Sequence, residues 1–230
     1  MIRSAGVIPV QAVRVEADEV VLSGDLSVPQ AATGLVIFAH GSGSSRRSPR
    51  NRFVADLLAE AGIGTLLFDL LTPEEESDRR NVFAIALLGS RLLEATRWLR
   101  SRPEAVGQAV GYFGASTGAA AALMAAGASE HPIGAVVSRG GRPDLAGEWL
   151  PRVKAPTLLI VGGRDLEVLK LNREAYDKLT CPRRLEVVPG ATHLFEERGT
   201  LEAVAALASA WFREYLVSSP HFQPFSQPAV

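Results

Sequence analysis

Residues Gln108-Ala109-Val110-Gly111-Tyr112-Phe113-Gly114-Ala115-Ser116-Thr117-Gly118 carry a short apolar run into a tight glycine-flanked turn, and an alanine-rich segment follows to Ala128. The run reads as a buried strand and the alanine-rich segment as a helix. Ser116 then falls on a sharp strand-to-helix turn, a nucleophile elbow. A serine there is pushed out of the sheet, and its strained backbone tolerates only small neighbours, here Gly114 and Gly118. In a chain with 21 glycines the spacing G-x-S-x-G carries little weight by itself. The flanking sequence has to supply the context.

Upstream, Gly34 to Ala39 is a continuous apolar run that ends abruptly in His40-Gly41-Ser42-Gly43-Ser44-Ser45, the pattern of a strand buried on both faces of a parallel sheet. Ser48 and Pro49 supply a cap and a first-turn proline for a helix with Phe53, Leu57, Leu58 and Ala61 on one face and Gly62 at its stop. Gly64 to Phe68 repeats the buried-strand pattern and ends at Asp69. Thr72 to Arg80 reads as an exposed charged loop, and Asn81 to Arg100 as a long helix with Ile85, Leu88, Leu92, Ala95 and Leu99 at helical spacing. Nearer the start, Val13 to Val15 and Val20 to Val28 form a hairpin around Ala17 to Glu19, with a bulge expected at Ser23-Gly24-Asp25.

Downstream, Ile133 to Ser138 and Pro156 to Val161 are further strands, and the short segment Arg139 to Ala155 between them leaves no room for a large lid. A helix around Leu169 to Leu179, a strand over Arg184 to Val188, and the loop Pro189 to His193 follow. A final helix carries a stripe of Val204, Leu207, Ala208, Trp211, Phe212 and Tyr215. Residues 1–217 therefore read as one α/β domain, and 218–230, with three prolines, as a tail.

Composition narrows the function classes. The chain has 230 residues, 47% apolar and 21% charged, enough for a large single core. A formal net charge of −1 offers no concentrated basic surface for nucleic acid. Arg3, Pro9 and Gln11 interrupt the first apolar residues, and no run approaches membrane-spanning length, so neither a signal peptide nor a membrane role is expected. With its one cysteine, Cys181, read as structural, the expected location is the cytoplasm.

Strands alternating with helices imply right-handed crossovers and a mainly parallel sheet, whose ligands bind at the carboxyl ends of the strands. The loops at those ends present His40-Gly41, Asp69, Ser116, Arg139, Asp165 and His193. A serine hydroxyl needs an imidazole to take its proton, and the imidazole needs a carboxylate to fix its tautomer. Ser116, Asp165 and His193 provide all three in that chain order. Asp69 and Asp144 stay open as the acid, and His221 as the base. His131 reads as surface, and His40 as a residue that shapes its loop.

These residues resemble the α/β-hydrolase superfamily, whose triad follows the same order and whose nucleophile lies in G-x-S-x-G, and the likeness runs from Val13 to Tyr215. The short segment after the elbow and the loop HGSGSSRRSPRNRFVA are similar to dienelactone hydrolase-like proteins. Relatives of dienelactone hydrolase often carry a cysteine nucleophile, whereas this chain has Ser116, which favours a general serine esterase. The resemblance implies an eight-stranded, mostly parallel sheet with the second strand antiparallel and helices on both faces. It implies Ser116 as nucleophile, His193 as general base and acid, and Asp165 as the orienting carboxylate. The oxyanion hole would be the backbone N–H groups of Thr117 and Ser42, with Gly43 as the second choice for the latter. The expected activity is hydrolysis of a small ester or lactone through an acyl-serine, without metal or cofactor. The same constellation serves thioester, amide and carbon–carbon cleavage, and a non-catalytic binding protein on this scaffold is the other class.

Arg46, Arg47, Arg50 and Arg52 flank the oxyanion loop. Such a run ordinarily forms a solvated face; the sharper reading has Arg46 or Arg47, with Arg139 or Arg142, attract a substrate carboxylate or phosphate. Trp149, Leu166 and Phe195 are candidates for an acyl-pocket wall.

Overall fold

A computed structural model describes residues 8–216; the tail expected at 218–230, His221 with it, lies outside the described residues. Eight strands form one sheet: β1 (Val10–Ala17), β2 (Val20–Ser27), β3 (Leu35–Ala39), β4 (Gly64–Phe68), β5 (Val110–Ala115), β6 (Val136–Arg139), β7 (Thr157–Gly162) and β8 (Arg183–Val188). Their order is β1-β2-β4-β3-β5-β6-β7-β8. β2 runs antiparallel to both β1 and β4, and the pairings from β4 through β8 are parallel. This is the α/β-hydrolase architecture, with no large lid.

The central strands are buried on both faces, which explains why their sequences are apolar runs rather than alternations. Val36, Phe38 and Phe113 pack under α1 (Pro49–Glu60) and α6 (Thr200–Tyr215). Leu35, Ile37 and Tyr112 face the opposite layer, where α3 (Ile85–Arg100) and α4 (Thr117–Ala128) lie with α5 (Leu166–Lys178). Ala119 to Ala122 are fully buried, so the alanines of α4 let its axis approach the sheet closely. Ser48 caps α1 by accepting the Asn51 N–H at 3.3 Å, with Pro49 in the first turn, a cap that contributes about 1 kcal/mol.

Three expectations are corrected. Thr72 to Arg80 is not simply a loop: α2 (Pro73–Ser77) begins at Thr72 with a capping box, in which the Thr72 hydroxyl accepts the Glu75 N–H and the Glu75 carboxylate accepts the Thr72 N–H. The next helix starts at Ile85, because Asn81–Phe83 forms a separate 3-10 turn. Finally, β1 and β2 pair one to one from Val10↔Ser27 to Ala17↔Val20, so Ser23-Gly24-Asp25 forms no bulge; the turn at Asp18 takes up the bend with a φ of 50°.

Candidate active site

The carboxyl ends of β3 to β8 open on one rim. At its centre Ser116 follows β5 with φ 52° and ψ −122°, a conformation that costs an L-residue about 1–3 kcal/mol and has to be held from outside. Its N–H donates to the Arg139 carbonyl at 3.2 Å, and its own carbonyl accepts the Arg142 and Ala119 N–H groups, each at 3.1 Å. Gly118 explains the motif's second glycine: a Cβ there would stand 2.1 Å from the Ala39 carbonyl oxygen, where α4 crosses the end of β3.

Asp165 follows β7 and His193 follows β8. The Asp165 carboxylate lies 2.7 Å from His193 Nδ1, with the acid shielded at 14% side-chain exposure and the imidazole reachable at 39%. That bond selects the tautomer with Nδ1 protonated and Nε2 free to accept. The rival acids are engaged elsewhere: Asp69 holds Arg46, and Asp144 accepts from Nε and Nη2 along one edge of the Arg142 guanidinium at 2.9 and 2.8 Å. Among the described residues Ser116 Oγ makes no hydrogen bond to the imidazole. The two sides of the cleft meet at Gly140, where a Cβ would stand 3.6 Å from His193 Nδ1, one residue beyond the carbonyl that holds the Ser116 N–H. His131 is exposed.

His40 braces the next loop. Its Nδ1–H donates to the Gly41 carbonyl at 3.0 Å while Nε2 accepts the Leu70 N–H at 3.1 Å, tying the end of β3 to the end of β4. Burial holds its pKa below the ordinary 6.5, against the raising influence of the Gly41 carbonyl and Asp69. Beyond it, Gly41 lies close to Ser116: a Cβ there would lie 3.0 Å from Ser116 Cβ and 3.1 Å from the Ala115 carbonyl. Ser42 and Thr117 are brought together, since the Ser42 N–H donates to Thr117 Oγ1 at 2.9 Å. The Thr117 N–H sits in the first turn of α4, where no intrahelical acceptor exists.

The loop from His40 to Ser45 also walls a cavity of about 100 Å³, lined further by Leu70, Leu71, Val82 and Leu88. Leu70, Leu71 and Val82 come from the β4–α3 connection and Leu88 from the first turn of α3, and none was among the candidate site residues of the sequence. Of the candidates, Leu166 is 72% exposed beside Asp165, while Phe195 is buried in the layer under α1 and α6. Trp149 packs against Gly127 near the far end of α4, about 16 Å along the helix from Ser116, and its ring covers Arg152. The structure does not bring it to the rim.

The arginines divide. Arg46 is held by Asp69 and Asp25, Arg52 by Asp25, and Arg50 by Glu196 at 3.2 Å, while Arg47 is exposed. Arg139, at the end of β6, is buried. Desolvation, and then the neighbouring Arg50, push its pKa down to about 10. Among the described residues no three His, Cys, Asp or Glu side chains gather as a metal site requires, and no helix is long and apolar enough to cross a membrane.

Comparison with known proteins follows this geometry. The model of the dienelactone hydrolase family matches residues 24–216. A dienelactone hydrolase from Anabaena variabilis superposes with a TM-score of 0.89 at 57% identity, over 91% of this chain and 99% of its own. Est1E from Butyrivibrio proteoclasticus shares the fold at a TM-score of 0.75 and 17% identity, over 89% of this chain and 98% of its own. A Mycobacterium tuberculosis protein described as a "putative phosphoribosyl transferase" is 60% identical over 204 residues, which are 89% of this chain and 46% of the relative. The chain thus spans about half the length of the curated relatives it matches.

Proposed function

Because the chain belongs to the dienelactone hydrolase family, we propose that it is a serine hydrolase that cleaves a small ester or lactone through an acyl-Ser116 intermediate. The observation that carries the reading is the 2.7 Å contact between Asp165 and His193 Nδ1, on the same rim as a serine held at positive φ. Such a contact leaves Nε2 to take the Ser116 proton as Oγ attacks the carbonyl carbon. The imidazolium then protonates the departing alkoxide, and in the second half His193 deprotonates a water that attacks the acyl-enzyme. The separation of Ser116 Oγ from the imidazole fits a resting enzyme, since catalytic hydrogen bonds commonly tighten only with substrate bound.

The oxyanion would be held by the N–H groups of Thr117 and Ser42. In the resting state the Ser42 N–H is oriented by the Thr117 hydroxyl, which the oxyanion shares or displaces. The cavity beyond the loop seats a small apolar part of the substrate, against Leu70, Leu71, Val82 and Leu88. Labelling with a fluorophosphonate tests the reading. The wild type should be modified covalently and Ser116→Ala should not; a wild type that resists the reagent throughout pH of about 6 to 9, a range that spans the titration of a free imidazole, favours a binding protein on the same scaffold.

A further inference from the structure

The cavity beside the loop from His40 to Ser45 has a wall that the core does little to hold. Pro73 and Glu76 of α2, Val82 of the 3-10 turn and Leu88 of α3 line it. None of residues 72–87 is buried, and within α2 and the 3-10 turn only Val82 packs, partly buried, against the core. A segment that buries so little apolar surface opens at low cost unless something else ties it down.

Polar contacts supply the tie, and they converge on Glu75. Its Oε2 accepts the Thr72 N–H at 2.9 Å, its Oε1 accepts from Arg91 Nη2 at 2.7 Å, and its carbonyl accepts from Asn81 Nδ2 at 2.8 Å. One residue thus joins the start of α2, the 3-10 turn and α3. The ion pair is largely shielded, with 23% of the Glu75 side chain and 11% of that of Arg91 exposed, so it is worth more than a surface pair. Arg91 is anchored in turn, since Nη1 donates to the Ala17 carbonyl at the end of β1 at 3.0 Å. The pair of Asp78 with Arg80 lies within the segment and fastens it to nothing outside.

The position of the wall decides what the tie does. Gly41 lines the same cavity, and a Cβ there would stand 3.7 Å from Ser116 Oγ. A volume of about 100 Å³ takes a chain of about three or four heavy atoms at ~30 Å³ for each. We propose that Glu75, clamped by Arg91, determines substrate size: by holding α2 and the 3-10 turn against the cavity it admits an acyl group up to the length of butyryl and turns longer chains away. The proposal rests on the hydrolase reading of the site and on the seating of the substrate's apolar part in this cavity. Glu75 and Arg91 touch no reacting atom; they act through the wall they hold.

The p-nitrophenyl esters of acetate, butyrate and octanoate measure the effect. The wild type should favour butyrate over octanoate in kcat/KM, and Glu75→Ala and Arg91→Met should each raise the octanoate-to-butyrate ratio by about 10-fold, mostly through the KM of the octanoate. Glu75→Gln, which keeps an oxygen for the Thr72 N–H but gives up the charge, should fall between. If Arg91→Met does not fold, Glu75→Ala supplies the ratio, because Glu75 lies on a helix without buried residues. Trypsin gives a readout that needs no catalysis: Arg79 and Arg80 are exposed in this segment, and Glu75→Ala should be cut there about 10-fold faster than the wild type. A ratio unchanged in folded variants overturns the proposal, since a merely structural role would lower all three esters together. So does a wild type that cleaves octanoate as well as butyrate, or tryptic cleavage that Glu75→Ala leaves unaltered; each of these results leaves the hydrolase reading standing. A wild type that cleaves none of the esters removes the proposal as well, and its labelling by the fluorophosphonate then decides the hydrolase reading separately.

Discussion

Replacing Gly41 by alanine probes the loop proposed to hold the oxyanion through a single methyl group. The added carbon would lie 3.0 Å from Ser116 Cβ and 3.1 Å from the Ala115 carbonyl oxygen, whereas carbon atoms pack comfortably at about 3.5–4.0 Å. The loop therefore has to retreat from the nucleophile by about 0.5–1 Å. That retreat carries the neighbouring Ser42 N–H away from the carbonyl under attack, and a misplacement of about 1 Å costs on the order of 10²-fold in rate. The expected result is a kcat lower by about 10- to 100-fold with KM little changed, because the lost contact belongs to the transition state. Stability should hardly move, since residues 41–45 lie at the surface of the rim and can shift outward. Gly118→Ala is the counterpart. There the methyl group would meet the Ala39 carbonyl oxygen at 2.1 Å, backbone against backbone, and α4 and β3 cannot part without loss of core packing. That variant should lose about 3 kcal/mol or more, equivalent to a Tm lower by about 6–12 °C in a chain of this length. Steady-state kinetics on a p-nitrophenyl ester and thermal denaturation of both variants make the check. A Gly41→Ala enzyme within about threefold of the wild type in kcat would refute the placement of the oxyanion donor on this loop.

Two further outcomes follow from the same geometry. Asp165→Asn preserves the shape of the side chain but removes the carboxylate at His193 Nδ1, so kcat/KM should fall by about 10³- to 10⁴-fold; a loss under about tenfold would point to another acid. The pKa of His40 is held by burial below its ordinary 6.5, so below that pH the unfolded chain binds the proton that the native chain refuses, and stability falls as the solution is acidified. Calorimetry should show Tm declining from pH 6.5 downward in the wild type and a shallower decline in His40→Gln; identical slopes would remove His40 as the cause.

What could be read from the chain before folding is what depends on neighbours in sequence. The apolar runs of β3 to β7, the Ser48-Pro49 start of α1 and the elbow around Ser116 are local patterns, and once the strands alternate with helices the topology itself brings Asp165 and His193 to the rim. The charged side chains resisted because their partners are remote. Arg46, Arg50 and Arg52 look like one solvated face, yet the start of α1 at Pro49 splits them, and their carboxylates come from β2, the end of β4 and the loop after β8. Thr72 to Arg80 misled for a related reason. The capping signal Thr72-x-x-Glu75 is present, but the dense charge around it resembles an exposed loop; only in three dimensions does Glu75 meet Arg91, an arginine 16 residues on whose guanidinium also donates to the Ala17 carbonyl. Arg139 is the limiting case. Nothing in Val136-Val137-Ser138-Arg139 tells a paired arginine from an unpaired one, because the distinction lies in which acids fail to reach it. An arginine without a carboxylate partner among the described residues emerges only after its neighbours have been matched to their own partners.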